Sequence, residues 1–430
     1  MNPAGGMLKG MFRSLGNYNY RLWAGGSLVS NIGTWMQRTA QDWLVLTQLT
    51  HNNATAVGVV TALQFGPQLL LLPLTGFAAD YFDRRKLLIA TQGAMGLLAL
   101  GLGILTVAGL AQLWHVYVFA LLLGCVGAFD APARQTFVSE LVAEADLSNA
   151  VALNSTSFNA ARMVGPAAAG ALIAVVGSGW LFLINAASFA AVIASLKFLR
   201  LDELHARRYG GRAAGSLVGG FRYVWQYPQL KTILLMIFLV GTFGLNFPIF
   251  ISAMAVKVFH AGAGQYGLLT SIMACGSVVG ALLAARRTAT GVPLLFTNTL
   301  LFSLGLALAA IMPNYILFSA VLVAIGITAQ TLTTTAISLV QLSTEPAMRG
   351  RVMAIFLAVS LGGTPIGALI IGWAADNYGP RQAMGIGAAS GFAAVLVGLY
   401  YLITYRHLRL RIDAGRLRII LDGGDTLTDL

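Results

Sequence analysis

The feature that most constrains this chain is an alternation: largely apolar stretches of about twenty residues or more, with few charges, follow one another from end to end, separated by short loops. Each stretch is long enough to cross about 30 Å of hydrocarbon as a helix rising about 1.5 Å per residue. Hydrophobic residues make up 57% of the 430 positions and Asp, Glu, Lys and Arg only 10%, against about 25% charged in soluble domains, so polar side chains cannot cover a water-facing surface. Lipid has to cover it. The pattern predicts helices near 20–46, 56–78, 87–109, 114–136, 156–177 and 180–199, then near 232–255, 265–285, 292–312, 315–341, 351–375 and 383–404. The expected fold class is therefore an all-α membrane protein of twelve transmembrane helices.

The bases sit unevenly among the loops. Arg84, Arg85, Lys86, Arg134, the 197–231 segment, Arg286, Arg287, Arg349 and Arg351 fall on one side, and the opposite loops carry only Lys257 and Arg381. An even number of spans with this asymmetry places both termini and the central linker in the cytoplasm, with the chain multi-pass in the inner (plasma) membrane. A net charge of +12 in a soluble protein would suggest nucleic acid. Here the bases are clusters between apolar runs, so their expected partner is the anionic leaflet, and no nucleic-acid partner is expected.

Four segments are expected: an N-terminal six-helix bundle over 1–199, a linker over 200–231, a C-terminal six-helix bundle over 232–405 and a cytoplasmic tail over 406–430. Bases alternate with aromatics in the linker, which suits the membrane surface. The tail, with Arg406, Arg409, Arg411, Arg416 and Arg418, reads equally as a leaflet-binding or as a solvated segment. The N-terminus carries Lys9, Arg13 and Arg21 without a short apolar core before a cleavage site, so no cleaved signal is expected. Cys125 and Cys275 lie within apolar runs, where a small buried hydrophobe is the ordinary role.

The halves echo one another. Gly76…Arg84-Arg85 after the second span matches Gly280…Arg286-Arg287 after the eighth, and Gly165-Pro166 in the fifth matches Thr364-Pro365 in the eleventh. Parallel six-span repeats are one established transporter architecture. Over essentially the whole chain the sequence resembles the major facilitator superfamily. The loop from Gly76 through Asp80 to Arg84, Arg85 and Lys86 is similar to that superfamily's first cytoplasmic signature, departing from it at Tyr81 and Asp83. The stretch from Ala131 to Gly170 and the segment Glu345–Met353 resemble the group that includes the enterobactin exporter and related multidrug efflux pumps. Gly165, Pro166 and Gly170 are similar to the antiporter signature, although the middle of the fourth span lacks the arginine many drug–proton antiporters carry.

The resemblance implies two pseudo-symmetric bundles in the major facilitator fold and a cytoplasmic gate. In the family an acid at the end of the fourth span holds the basic cluster, which here is Asp130. The expectation is a network of Asp80, Arg84 and Asp130, extended by Arg134 and Arg349 and backed by Arg85 and Gly76, that locks the outward-facing state. The competing reading is that these charges only fix topology.

Absent motifs narrow the energy source. No lysine follows a glycine, so there is no phosphate-binding Gly-Lys-Ser/Thr loop. The five histidines are scattered, no metal site or other cofactor is expected, and no catalytic constellation stands out, so the chain is not expected to be an enzyme.

A charge within a span is costly and marks a functional candidate. Asn31, Trp35, Arg38 and Asp42 share one face of the first span. Asp42 reads either as a proton-titrating group beside Arg38 or as one half of a static pair with it. Arg162, expected at the cytoplasmic start of the fifth span, reads as an anion ligand or as a snorkelling base. Phe243 and Asn246 interrupt the seventh span, and Gln330, Thr334 and Ser338 form a neutral stripe in the tenth that serves substrate or helix packing. A cavity with one charged wall and one neutral, aromatic wall suits amphipathic or weakly cationic compounds. The leading expectation is proton-coupled export of such drugs or of a siderophore by a monomer, with protons and membrane lipids as partners. Uptake or facilitative transport of a metabolite or lipid, and a non-transporting receptor or scaffold, are the alternatives.

Overall fold

The computed structural model describes residues 12–71, 74–75, 78, 81–205, 217–286, 291–405, 409–413 and 416–420. These are helical almost throughout. Ten helices are long and apolar enough to cross a membrane: Arg84–Val107 (α3), Leu113–Leu141 (α4), Glu144–Val176 (α5), Ser178–Lys197 (α6), the broken helix Pro228–Val258, Ala263–Arg286 (α10), Val292–Ile311 (α11), Tyr315–Leu342 (α12), the broken helix Arg349–Asn377 and Pro380–Tyr405 (α15). Two more precede them. Tyr18–Trp43 (α1) is 26 residues long but studded with polar side chains, and Ala54–Leu70 (α2) is apolar but short.

The ends of these helices follow from local chemistry. Asn17, Asn53, Asp83 and Asn314 each accept a bond from the backbone N–H three residues on, satisfying a donor that the first turn leaves orphaned. Pro228, Pro293 and Pro365 stand at first-turn positions, where proline's missing N–H costs nothing. Gly177, at φ +83°, lets α6 begin immediately after α5 ends. The broken helices divide as Pro228–Leu239 (α8) and Phe247–Ala253 (α9), and as Arg349–Gly362 (α13) and Thr364–Asn377 (α14). Wider π turns occupy Leu44–Leu49, Val240–Gly244 and Met254–Val258; such turns recur where a helix serves a site.

Contacts divide the chain into two compact units, Met1–Arg212 with Ile251–Ala274, and Ala213–Phe250 with Cys275–Leu430. Residues 251–274 cluster with the first unit. Within the first unit α3 packs on α6 and α4, and α1 packs on α6 and α5. Within the second, α11 packs on α15 and α12, and α8 packs on α15. The same order of partners recurs in both.

In the tail, Arg409–Asp413 (β1) and Arg416–Ile420 (β2) pair antiparallel, Arg409 opposite Ile420. Two expectations are corrected. Cys275 is exposed rather than buried, and both cysteines are free thiols. Helix α5 starts at Glu144 and α4 runs on to Leu141, well past the apolar runs, because a helix continues into water wherever its backbone bonds persist. Among the described residues of the linker are a 3-10 turn at Leu201–Glu203, the helix Leu217–Gln226 (α7) with exposed Phe221 and Trp225, and the first turn of α8.

Candidate functional site

Helix α1 supplies the charged face. Trp35 lies against α5 because Gly165 has no side chain: a Cβ there would fall 2.6 Å from that of Trp35. That close approach brings Arg162, near the middle of α5 and not at its start, to the same indole. The Arg38 Cζ is 5.1 Å and the Arg162 Cζ 5.6 Å from the Trp35 ring centroid, and Phe158 meets that ring edge-on at 5.9 Å. All three polar members of this niche, Trp35, Arg38 and Arg162, retain part of their surface.

Asp42, one turn along the face, is not closed into an ion pair with Arg38; the described ion pairs lie elsewhere. Its partner is Tyr266 of α10, whose hydroxyl donates to Asp42 Oδ2 at 3.2 Å while the Tyr266 ring stacks on Trp43 at 6.1 Å. Asp42 thus makes a carboxylate–phenol contact between two helices while staying near enough to Arg38 to interact with its charge. Tyr266 reaches that position through a second close crossing. A Cβ on Gly267 would sit 2.2 Å from the Pro166 carbonyl oxygen, and one on Gly170 would sit 2.6 Å from that of Ala263. The antiporter-like residues Gly165, Pro166 and Gly170 therefore mark two helix crossings that position Trp35 and Tyr266.

Arg38 also lines a small cavity of about 80 Å³, with Gln37, Gln41 and Gln64 on one side and the apolar Met95, Leu123 and Phe189 on the other. Asn185 Nδ2 donates to Gln37 Oε1 at 2.6 Å, and the Gln41 amide nitrogen is buried without a protein acceptor.

The expected gate residues separate into two clusters. Arg84 Nη1 donates to Glu140 Oε1 at 2.5 Å, linking the start of α3 to the end of α4. Asp130 is buried and takes bonds from Thr91 (2.8 Å), Gln92 (2.6 Å) and Arg134 (3.1 Å). Arg84 is not among the described partners of Asp130. Arg134 also reaches Asn31 at 3.5 Å and packs on Trp23 at 5.8 Å, so Asn31 belongs to this cluster and not to the Trp35 niche. Arg85 Nε donates to the Leu196 carbonyl at 2.7 Å. Gly76 and Asp80 lie outside the described residues.

In the second unit, Arg349 Nε donates to the Gln341 carbonyl at 3.1 Å. Asn246 is buried beside the π turn, its amide donating to the Thr242 carbonyl at 2.6 Å and its Oδ1 left unpaired. Gln330 donates to Thr334 at 3.3 Å. Two members of the α12 stripe thus bond to one another within their own helix, and Phe243 borders Gly387 of α15. Among the described residues no group of three or more His, Cys, Asp or Glu is placed to hold a metal.

Neither Tyr266 nor Glu140 stands out in the sequence. Glu140 falls beyond the apolar run of the fourth span, and Tyr266 meets Asp42 across 224 positions, a separation no periodicity bridges.

The model of a family described as transmembrane secretion effector matches residues 11–408. The staphyloferrin A transporter of Staphylococcus aureus is 25% identical over 390 residues, covering 89% of this chain and 95% of its own. The enterobactin exporter EntS of Escherichia coli K12 is 25% identical over 376 residues, covering 84% and 87%. Among solved structures, a bacterial homolog of the human lysosomal transporter Spinster aligns with a TM-score of 0.69 at 14% identity, over 89% of this chain and 95% of that one. The nucleoside transporter NupG aligns at 0.70 and 14%, over 90% and 100%. At these identities the two structures speak for the fold.

Proposed function

The chain belongs to the transmembrane secretion effector family of the major facilitator superfamily, and on that premise we propose that it exports siderophore-type small molecules across the plasma membrane by proton-coupled alternating access. The reading draws its cargo from the two curated relatives, both named for siderophores. It draws its mechanism from one observation: Asp42, a carboxylate within α1, is held by the neutral hydroxyl of Tyr266 on α10. A carboxylate–phenol contact is favoured by ionised Asp42 and weakened when a proton takes its place, so binding a proton loosens one helix from another. An Arg38–Asp42 ion pair would have held the carboxylate ionised and left no such lever.

The same reading assigns twelve crossings, counting α1 and α2 with the ten long apolar helices, in two six-helix bundles. Both termini and the α7 linker face the cytoplasm, where the surplus of bases meets the anionic leaflet. Arg84 with Glu140, and Asp130 with Arg134, act as the cytoplasmic clasp, with Arg349 at the matching loop of the second half. The protein works as a monomer. Everted membrane vesicles supply the test: with an imposed proton gradient they accumulate a labelled siderophore, and a protonophore abolishes the accumulation. Accumulation that survives the protonophore would leave export standing and remove the proton coupling. No accumulation in everted vesicles, with uptake in right-side-out ones, would favour the importer reading.

A further inference from the structure

The niche around Trp35 holds two guanidinium groups without a hydrogen-bonded partner. Among the described residues, Arg38 and Arg162 close no ion pair and donate no hydrogen bond; both lie over the face of one indole, and Arg38 also feels the charge of Asp42. Elsewhere the same side chain finds an acceptor: Arg84 on Glu140, Arg134 on Asp130, Arg349 on the Gln341 carbonyl and Arg381 on the Ala310 carbonyl. Two like charges drawn to a single ring repel one another, and each carries a planar fork of donors that water or an anion has to satisfy. Asp42 lies close enough to Arg38 to interact with its charge but closes no ion pair with it, its Oδ2 accepting from Tyr266, and it does not reach Arg162.

We infer that the Arg38–Trp35–Arg162 niche binds an aromatic anion, the ring lying against Trp35 and Phe158 and the acidic oxygens bridging the two guanidiniums. A carboxylate matches the guanidinium fork with two parallel bonds, which a neutral amide cannot do. The aromatic part of the ligand is called for by the walls: Phe158 is 46% exposed and Trp35 partly so, which leaves apolar ring surface beside the charges. One guanidinium would suit any anion. Two of them, held on one indole by the Gly165 crossing, select a flat group whose charge lies at its edge. The inference corrects the sequence expectation of weakly cationic cargo, since a cation here would face two arginines. It rests on the transport reading only in calling the ligand cargo.

The test uses the full chain in lipid nanodiscs and three probes of similar or smaller size: benzoate, uncharged benzamide and non-aromatic acetate. Benzoate should bind at least about tenfold more tightly than either of the others. Arg38→Gln and Arg162→Gln should each weaken benzoate about tenfold and leave benzamide unchanged. Arg38→Lys and Arg162→Lys, which keep the charge and lose the fork, should fall between, and they serve if the glutamine variants misfold. Equal affinity for benzoate and benzamide, glutamine or lysine variants that bind benzoate like wild type, or no benzoate binding up to about 10 mM would overturn the inference. Benzoate binding as described in a protein whose vesicles move no cargo would sink the transport reading and leave the niche intact. Vesicles that concentrate a siderophore without competition from benzoate would do the reverse.

Discussion

Tyr266 donates its hydroxyl to Asp42 Oδ2 while its ring stacks on Trp43, so one side chain of α10 meets two consecutive residues of α1 by a polar and an apolar contact. The two contacts can be separated by substitution. Tyr266→Phe keeps the ring and removes the bond, and a bond to a charged group contributes about 1.5–3 kcal/mol. Transport of a labelled siderophore should fall about tenfold or more, with the protein still inserted and folded. Rates unchanged in Tyr266→Phe would show that the hydroxyl has no part in the cycle.

The glycine crossings make opposite predictions for chemically identical changes. Gly267→Ala places a methyl 2.2 Å from the Pro166 carbonyl oxygen, whereas the same change at Gly25, inside α1, meets nothing within 4 Å. Overpacking costs about 1–3 kcal/mol, and replacing an unencumbered helical glycine gains up to about 1 kcal/mol. Thermal unfolding in detergent should therefore show Gly267→Ala melting below wild type and Gly25→Ala at or above it. The reverse order would mean that the α5–α10 crossing is looser than described.

Arg84 and Glu140 join α3 to α4 with both side chains only partly exposed, at 15% and 20%. A pair in that setting contributes about 1 kcal/mol once solvent screening is allowed for. Arg84→Ala and Glu140→Ala should each slow transport several-fold. The double variant should be no worse than either single one if the pair acts as a unit. Additive losses in a double-mutant cycle would assign the two residues separate roles.

Asp130 is different in kind, because it is buried with three donors turned to it. Asp130→Ala strands Arg134, and breaking a buried pair from one side costs about 3–5 kcal/mol. Protein yield and melting temperature should drop together, which distinguishes this structural loss from the clean rate effect expected at Arg84.

Much of this was legible in the sequence, and the reason is the solvent. Hydrocarbon thickness sets helix length and positions the spans, and the i, i+4 spacing of Asp130 and Arg134, or of Arg38 and Asp42, can be read directly. At Arg38 and Asp42 that spacing brings the two charges near one another, but the hydrogen bond Asp42 accepts comes from Tyr266, which no spacing announces. Residues beyond the hydrocarbon, such as Glu140, carry no such ruler, and the overshoot of α4 and α5 comes from the same gap. Contacts made by helix crossing depend on where glycines allow two backbones to meet. Gly165 and Gly170 were visible as a motif, but the partners they admit, Trp35 and Ala263, were not.

The central claim is that proton binding at Asp42 drives the cycle, and Asp42→Asn addresses it most directly, since asparagine keeps the shape and cannot titrate. Wild-type and variant protein, incorporated equally into liposomes with an imposed pH gradient, are compared for counter-gradient accumulation of a labelled siderophore. The account predicts accumulation by the wild type and only equilibration by Asp42→Asn. Normal accumulation by the variant would contradict it.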